Sequence, residues 1–281
     1  MLPLLFQWGE WALPSYSVFL GLGFCAFLAT LKIQEKIKGD LVRVQFENWV
    51  SLGFAGLLVS LFGARILYFL VEKVRVKAQG ISFWHFWEGG LVFYGGLVTG
   101  LLFLWIFLPR FKIPRQQGFE FLAPALALGH ALGRVGCYLN GCCYGSFCKL
   151  PWAVTYTSPL TVAERNVPLH PVQLYEATFL FLLGSGLLFW NFAKFSSPPN
   201  RFLPRSTSLY FVLYGLFRFF IEFLRADPER GFWGPFSTSQ WISIFVGTLG
   251  CGIYAFQLFF SFDLPAQGDF NARHESPSRK P

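Results

Sequence analysis

The chain has 281 residues, of which 54% are hydrophobic and only 14% charged. Soluble domains are about a quarter charged, so this composition, rich in phenylalanine, excludes an ordinary soluble domain and points to a chain dissolved in lipid. The net charge of +8 calls for no nucleic-acid partner, because lysine and arginine crowd the cytoplasmic loops of membrane proteins.

Apolar runs long enough to cross the hydrocarbon core recur about seven times. In chain order they cover approximately 16–31, 48–71, 91–108, 119–139, 172–193, 207–224 and 239–262. No cleavable signal is expected before the first: the opening segment lacks basic residues, and Glu10 and Pro14 break any early apolar run. GISFWHFWEGG (80–90) precedes the third run and is aromatic enough to lie at headgroup level. Pro124 and several polar residues interrupt the fourth. The runs lack alternation and are too long for membrane strands, which excludes a barrel. The predicted architecture is an all-α polytopic membrane protein: one seven-helix domain over 1–263, then a disordered cytoplasmic tail over 264–281 that is rich in Pro, Ser and charge.

Orientation follows from the basic residues. Segments 32–47, 109–118, 194–206 and the tail carry 13 of them, against 7 in the alternate segments. This bias places the N-terminus outside and the C-terminus in the cytoplasm. Three arginines, Arg65, Arg134 and Arg218, fall inside the runs, as do Glu176 and Glu222. Charges at such depth cost at least about 2.5–3.5 kcal/mol each and either pair with one another or mark function. With the predicted orientation they share the outer half of the membrane with Tyr16, Tyr68, Tyr94, His170, Gln173, Tyr175 and Tyr214. That one-sidedness argues against a transporter, whose site lies near the midplane.

In YGLFRFFIEFLR, Tyr214, Arg218 and Glu222 are spaced i, i+4, i+8 on one helix face, with Arg225 near the same stripe. Arg218 and Glu222 are placed to pair, and an arginine fork suits a phosphate's oxygens. LHPVQLYEA (169–177) puts Gln173 and Glu176 on one face, with Pro171 suited to the first helical turn. Together these residues describe a cationic cleft for an anionic lipid headgroup.

Four stretches carry a family resemblance. GRVGCYLNGCCYG (133–145), HPVQLYE (170–176), YGLFRFFIEFLR (214–225) and EGGLVFYGGLVTG (88–100) resemble the signatures of the bacterial prolipoprotein diacylglyceryl transferase family. The resemblance implies a seven-helix inner-membrane enzyme that needs no cofactor or metal. Such an enzyme moves a diacylglyceryl group from phosphatidylglycerol to the lipobox cysteine thiol of a prolipoprotein and releases glycerol-1-phosphate. It implies that Arg134 and Arg218 hold the phosphate and that Glu222 orients Arg218. Tyr214 and Asn140 would line the headgroup site, with His170 and Tyr94 candidates for proton handling. Gly145, Arg225, Arg65, Tyr16, Gln173 and Glu176 complete the expected substrate-binding set.

The sequence departs from the family pattern at three places. Cys137 stands where the family has asparagine, Cys142 where it has glutamate, and Tyr94 where it often has histidine. With Cys143 and Cys148, these cysteines admit four readings: disulfides, a metal site, a redox pair or buried packing. The spacing C-x4-C-C-x4-C lacks the tandem pairs of common zinc sites. Alternatives to the transferase are a paralogue with another acceptor and a membrane thiol-redox protein using the Cys137–Cys148 cluster. Cys25 and Cys251, inside the runs, are expected to be packing residues.

Overall fold

In the computed structural model, residues 2–9, 11–38, 45–86, 90–195, 205–226 and 231–260 are described. The boundary at 263 and the predicted tail lie outside them. A hairpin, β1 (Leu4–Trp8) and β2 (Trp11–Pro14), leads into α1 (Ser15–Lys38) and α2 (Phe46–Val71). Then come a short α3 (Lys73–Gln79), α4 (Phe93–Phe107) and α5 (Arg115–Asn140). Two-residue strands β3 (Val154–Thr155) and β4 (Pro168–Leu169) precede α6 (Val172–Phe195) and α7 (Ser206–Ile221). A second hairpin, β5 (Phe232–Trp233) and β6 (Phe236–Ser237), leads into α8 (Thr238–Phe260).

Among the described residues, six helices are long and apolar enough to cross a membrane: α1, α2, α4 with its 3-10 extension, α6, α7 with its extension, and α8. The seventh long helix, α5, has the length but not the apolarity, because it carries Arg115, Gln116, Gln117, Glu120, His130 and Arg134. It makes up for this by burial. Its Phe121, Ala125 and Ala127 are fully buried, and α5 packs against α1, α6 and α7. The most polar of the long helices is thus the central one, screened from lipid by the others.

Helix pairs in lipid are held by close packing at small residues rather than by the hydrophobic effect. Two helix pairs show this. A Cβ at Gly23 of α1 would lie 2.6 Å from the carbonyl oxygen of Gly129 in α5, and one at Gly95 of α4 would lie 2.4 Å from that of Gly63 in α2. The outer faces remain apolar and exposed, as at Phe54, Leu102, Phe189 and Phe256.

Pro124, which interrupts the fourth apolar run, lies inside α5, and the helix runs through it. Proline supplies no N–H for the carbonyl of residue 120. Asn191 of α6 supplies it instead, its Nδ2 donating to Glu120 O at 3.1 Å, while Gln34 of α1 donates to Phe121 O at 2.9 Å. Asn191 also donates to Gln34 Oε1 at 2.9 Å, and Ser206 Oγ donates to Asn191 Oδ1. The Glu120 carboxylate accepts the backbone N–H of Ser206 at 3.0 Å and so caps the start of α7. Lipid offers no water to satisfy such groups, so helix-breaking residues survive there only where neighbours replace the lost bonds.

Candidate active site

The opposite end of the bundle gathers the ends of α2, α5 and α7 and the starts of α1, α4, α6 and α8. Its centre is the segment that follows α5. The helix closes at Gly141 in the left-handed region (φ +77°), where the N–H of Gly141 bonds back to Cys137 O. The chain from Tyr144 to Cys148 then runs between segments 224–226 and 168–170, paired to each by backbone bonds. Ser146 N donates to Leu224 O and Ala226 N to Tyr144 O on one side; Gly145 N donates to His170 O and Cys148 N to Pro168 O on the other. Gly145 is required for this fit, since a Cβ there would lie 2.6 Å from both Cβ and O of His170. Backbone pairing therefore brings three sequence-distant stretches, 133–145, 170–176 and 214–225, to one place.

Two arginine–carboxylate pairs lie there. Arg134 Nη2 meets both oxygens of Glu176, at 3.0 and 2.9 Å, and Tyr214 OH donates to Glu176 Oε1 at 3.0 Å. Arg218 Nη1 meets Glu222 Oε2 at 2.6 Å, and Arg225 Nη1 stands 3.8 Å from the same oxygen. The glutamate side chains are 1% exposed, whereas Arg134 and Arg218 keep 14% and 10%. The carboxylates are thus hidden behind the guanidiniums, and the cations are what an incoming group meets.

Glu222 is held from behind. Ser237 Oγ donates to its Oε1 at 2.9 Å. Ser237 also opens α8 in a capping box: its Oγ accepts Gln240 N–H at 3.2 Å, and its N–H donates to Gln240 Oε1 at 2.9 Å. Ser239, two residues on, accepts from Arg218 Nη2 at 3.2 Å and stands 3.4 Å from Tyr94 OH. Tyr94 of α4 is in this way joined to Arg218 through α8.

The other expected residues are distributed unequally. Asn140 ends α5 with its side chain beside the Cys142 thiol, and Tyr16 sets its backbone against Gly136. His170 is turned elsewhere: its Nδ1 lies 3.3 Å from Tyr175 OH, which accepts from Trp152 Nε1 at 2.7 Å. Gln173 pins the turn after α5 to α6, donating to Cys142 O at 2.7 Å and Tyr156 OH at 3.1 Å. Burial pushes the Tyr156 phenol up, so it stays protonated as a structural partner.

Arg65 departs from the expected role. It is fully buried, and its guanidinium donates to the backbone carbonyls of Ser82, Phe83, His85 and Gly90 at 2.6–3.1 Å. It holds residues 82–85 and Gly90 onto α2. A cation spent on four carbonyls has few donors left for a headgroup, and an arginine inside an apolar run reads the same in sequence whichever role it has.

Besides Ser237, two participants carry little or no sequence signal. His130 lies one turn before Arg134, with Nε2 3.9 Å from Glu176 Oε1 and its ring edge-on to Tyr214. Its i, i+4 relation to Arg134 was the available signal. Ser239 had none, because one serine at a helix start is ordinary.

All six cysteines are free. Cys25 and Cys251 are exposed on helix surfaces rather than packed inside. Cys148 is buried, and its Sγ accepts Leu150 N at 3.4 Å. The remaining three converge: the Sγ atoms of Cys137, Cys142 and Cys143 lie within 4.8 Å of one another. Hydrogen bonds from Cys137 and Cys142 hold the Cys143 thiol below the ordinary range, against the effect of burial, and Arg134 and Arg225 add to the lowering.

Fold and site together define a polytopic helical membrane protein with buried arginine–glutamate pairs clustered at one end of its bundle. Comparison with known proteins narrows the class. The profile described as prolipoprotein diacylglyceryl transferase matches residues 3–256, and the chain belongs to that family. It is 32% identical over 259 residues to the phosphatidylglycerol–prolipoprotein diacylglyceryl transferase of Clostridium tetani, covering 92% of this chain and 98% of that one. It is 32% identical to transferase 2 of Clostridium perfringens (85% and 89% covered) and 29% identical to the Bordetella bronchiseptica transferase (90% and 94%). The protein is a membrane transferase of lipoprotein biosynthesis.

Proposed function

We propose that the chain transfers the diacylglyceryl group of phosphatidylglycerol to the lipobox cysteine thiol of prolipoproteins and releases glycerol-1-phosphate. The observation that carries this is the pair of guanidiniums, Arg134 and Arg218, each backed by a buried carboxylate and each left partly accessible. A leaving group that departs as a phosphate ester gains negative charge as its bond to carbon breaks. Cations fixed in advance at that oxygen lower the barrier without reorganising.

Glu176 and Glu222 are positioning residues that fix the two forks. Tyr214 orients Glu176, and Asn140, Tyr16, Gly145 and Arg225 border the headgroup. Tyr94, reached through Ser239, and His170, beside Tyr175, remain the proton-handling candidates, with His130 added beside Glu176. Gln173 serves by holding the turn. The reading places the site in the outer leaflet of the bacterial cytoplasmic membrane, with seven spans, the N-terminus outside and the C-terminus inside. The charge bias supports that orientation, and the exposed Trp8, Trp84, Trp152 and Trp233 at the site's end of the bundle suit a membrane–water interface.

The test is incubation of purified protein with phosphatidylglycerol and a lipobox peptide, with thioether-linked product read by mass spectrometry beside an active control transferase. Product is expected, and both Arg134→Ala and Arg218→Ala should abolish it. No product while the control works overturns the proposal.

A further inference from the structure

Three thiols meeting at one point of a thiol-alkylating site ask for an explanation. Cys137 comes from the last turn of α5, and Cys142 and Cys143 from the turn that follows. Adjacent side chains in extended backbone point to opposite faces. Here Cys143 has φ +58°, in the left-handed region that few residues other than glycine enter. Strained backbone of this kind persists where the surroundings over-determine it, and it clusters at functional sites. In this turn it accompanies the convergence of Cys143 with Cys142 and Cys137, all three of them free thiols.

Three converging sulfurs are a ligand set. Zinc–sulfur bonds of about 2.3 Å place tetrahedral sulfurs about 3.8 Å apart. The three Sγ atoms, all within 4.8 Å of one another, reach that spacing through side-chain adjustments of about 1 Å or less. Arg134 lies one helical turn before Cys137 on α5, so cationic charge is at hand to offset the thiolates. Three protein ligands also make a catalytic rather than a structural zinc site, because the fourth tetrahedral position is left to water or substrate.

We propose that Cys137, Cys142 and Cys143 bind one zinc-class divalent cation, and that the acceptor thiol takes the fourth position. The inference rests on the transferase reading for the identity of that fourth ligand. It also supplies a means of ionising the acceptor at neutral pH that is independent of the proton-handling candidates Tyr94, His170 and His130. A thiol that coordinates zinc is deprotonated outright. The acceptor gives its proton to solvent on binding the metal. Its sulfur then forms the S–C bond to the glyceryl carbon, the C–O bond to phosphate breaks, and that bond's electron pair leaves on the glycerol phosphate oxygen beside the arginines. The product thioether is a weaker ligand than the thiolate, which favours its release. Nothing is oxidised or reduced.

Cobalt(II) provides the probe. Reduced, chelator-treated protein in detergent is titrated with Co2+, then with Zn2+ in competition. One equivalent per chain is expected, with thiolate-to-cobalt charge-transfer absorbance that Zn2+ abolishes. Cys142→Ser should weaken binding roughly tenfold or more, since even outer partners of a metal site are worth that much. A lipobox peptide should change the cobalt ligand-field spectrum, and its Cys→Ser counterpart should not. On the unaltered chain, Zn2+ should shield Cys137, Cys142 and Cys143 from maleimide and leave Cys25 and Cys251 reactive.

Absence of charge-transfer absorbance in the reduced protein, or labelling unaffected by Zn2+, overturns the site. A bound-cobalt spectrum indifferent to the peptide thiol overturns the acceptor's place on the metal. Turnover with phosphatidylglycerol is a separate readout. Full-rate thioether formation by metal-free protein overturns the site and leaves the transferase reading intact. Metal binding without thioether from either form, beside an active control, does the reverse.

Discussion

The bundle has two buried polar ends, and they are built to different purposes. At the Glu120 end, side chains from α1, α5, α6 and α7 close on one another. Gln34, Asn191, Ser206 and Glu120 satisfy the carbonyl that Pro124 leaves without an amide and the first N–H of α7. At the Arg134 end, carboxylates are fully hidden while their arginines keep a reachable edge. The first arrangement is self-contained, and its polar groups answer one another. The second directs charge outward, with glutamates spent on aiming cations. A buried polar cluster in a membrane protein is therefore diagnostic of function by the direction its charge faces, more than by its presence.

The sharpest way to break this contrast is to alter one cation without emptying its carboxylate's pocket. Arg134→Lys keeps the charge near Glu176 but loses the planar fork. The expected result is a fall in kcat of roughly 10²–10³, the range seen when one donor to a developing oxyanion is lost, with little change in thermal unfolding. Arg134→Ala should lose activity as well and also unfold more readily, because leaving a buried carboxylate unpaired costs about 3–5 kcal/mol. A lysine variant with full activity would mean that charge alone suffices and that the fork geometry has no role.

The Glu120 end should answer in the opposite way. Asn191→Ala strips the amide from the Pro124 gap and leaves Gln34 and Ser206 short of partners. The loss is expected at about 2 kcal/mol or more of stability, since each stranded buried group costs about 1–3 kcal/mol. Unfolding in detergent measures it, and kcat should stay within about twofold at a temperature where the variant is folded. A large fall in kcat at such a temperature would erase the distinction between the two ends.

These two ends were not equally legible in the sequence. Arg134, Arg218, Glu176 and Glu222 stand out because a charge within an apolar run is costly and so conspicuous, and the Arg218–Glu222 pair follows from helical spacing alone. The Arg134–Glu176 pair does not, because 42 residues separate the partners and only the packing of α5 on α6 joins them. Arg65 carried the same signal as Arg134, yet its donors go to backbone carbonyls; sequence shows that a buried cation has a partner without showing which. Gln34, Asn191 and Ser206 sit at helix ends, where polar residues are ordinary, so nothing marked them as a network. Pro124 was read as an interruption, and the partner that lets the helix continue comes from a different helix. The three-cysteine convergence was hidden by spacing, because the left-handed turn at Cys143 brings adjacent side chains together.

The smallest predicted effect tests the account of Pro124 itself. If Asn191 replaces the N–H that proline lacks, restoring that N–H should weaken the dependence on Asn191. Pro124→Ala lets residue 124 donate to Glu120 O within the helix, in competition with the Asn191 amide now 3.1 Å away. Asn191→Ala should then cost about 1 kcal/mol less in the Pro124→Ala background than in the native chain, within the range of coupling between residues that share a hydrogen-bond network. The remainder of the Asn191 cost, from Gln34 and Ser206, should persist, because Pro124 touches neither bond. Additive effects in this double-mutant cycle would show that the Glu120 carbonyl does not depend on Asn191. The network would then be a helix-packing lock between α1, α6 and α7 rather than a repair of α5.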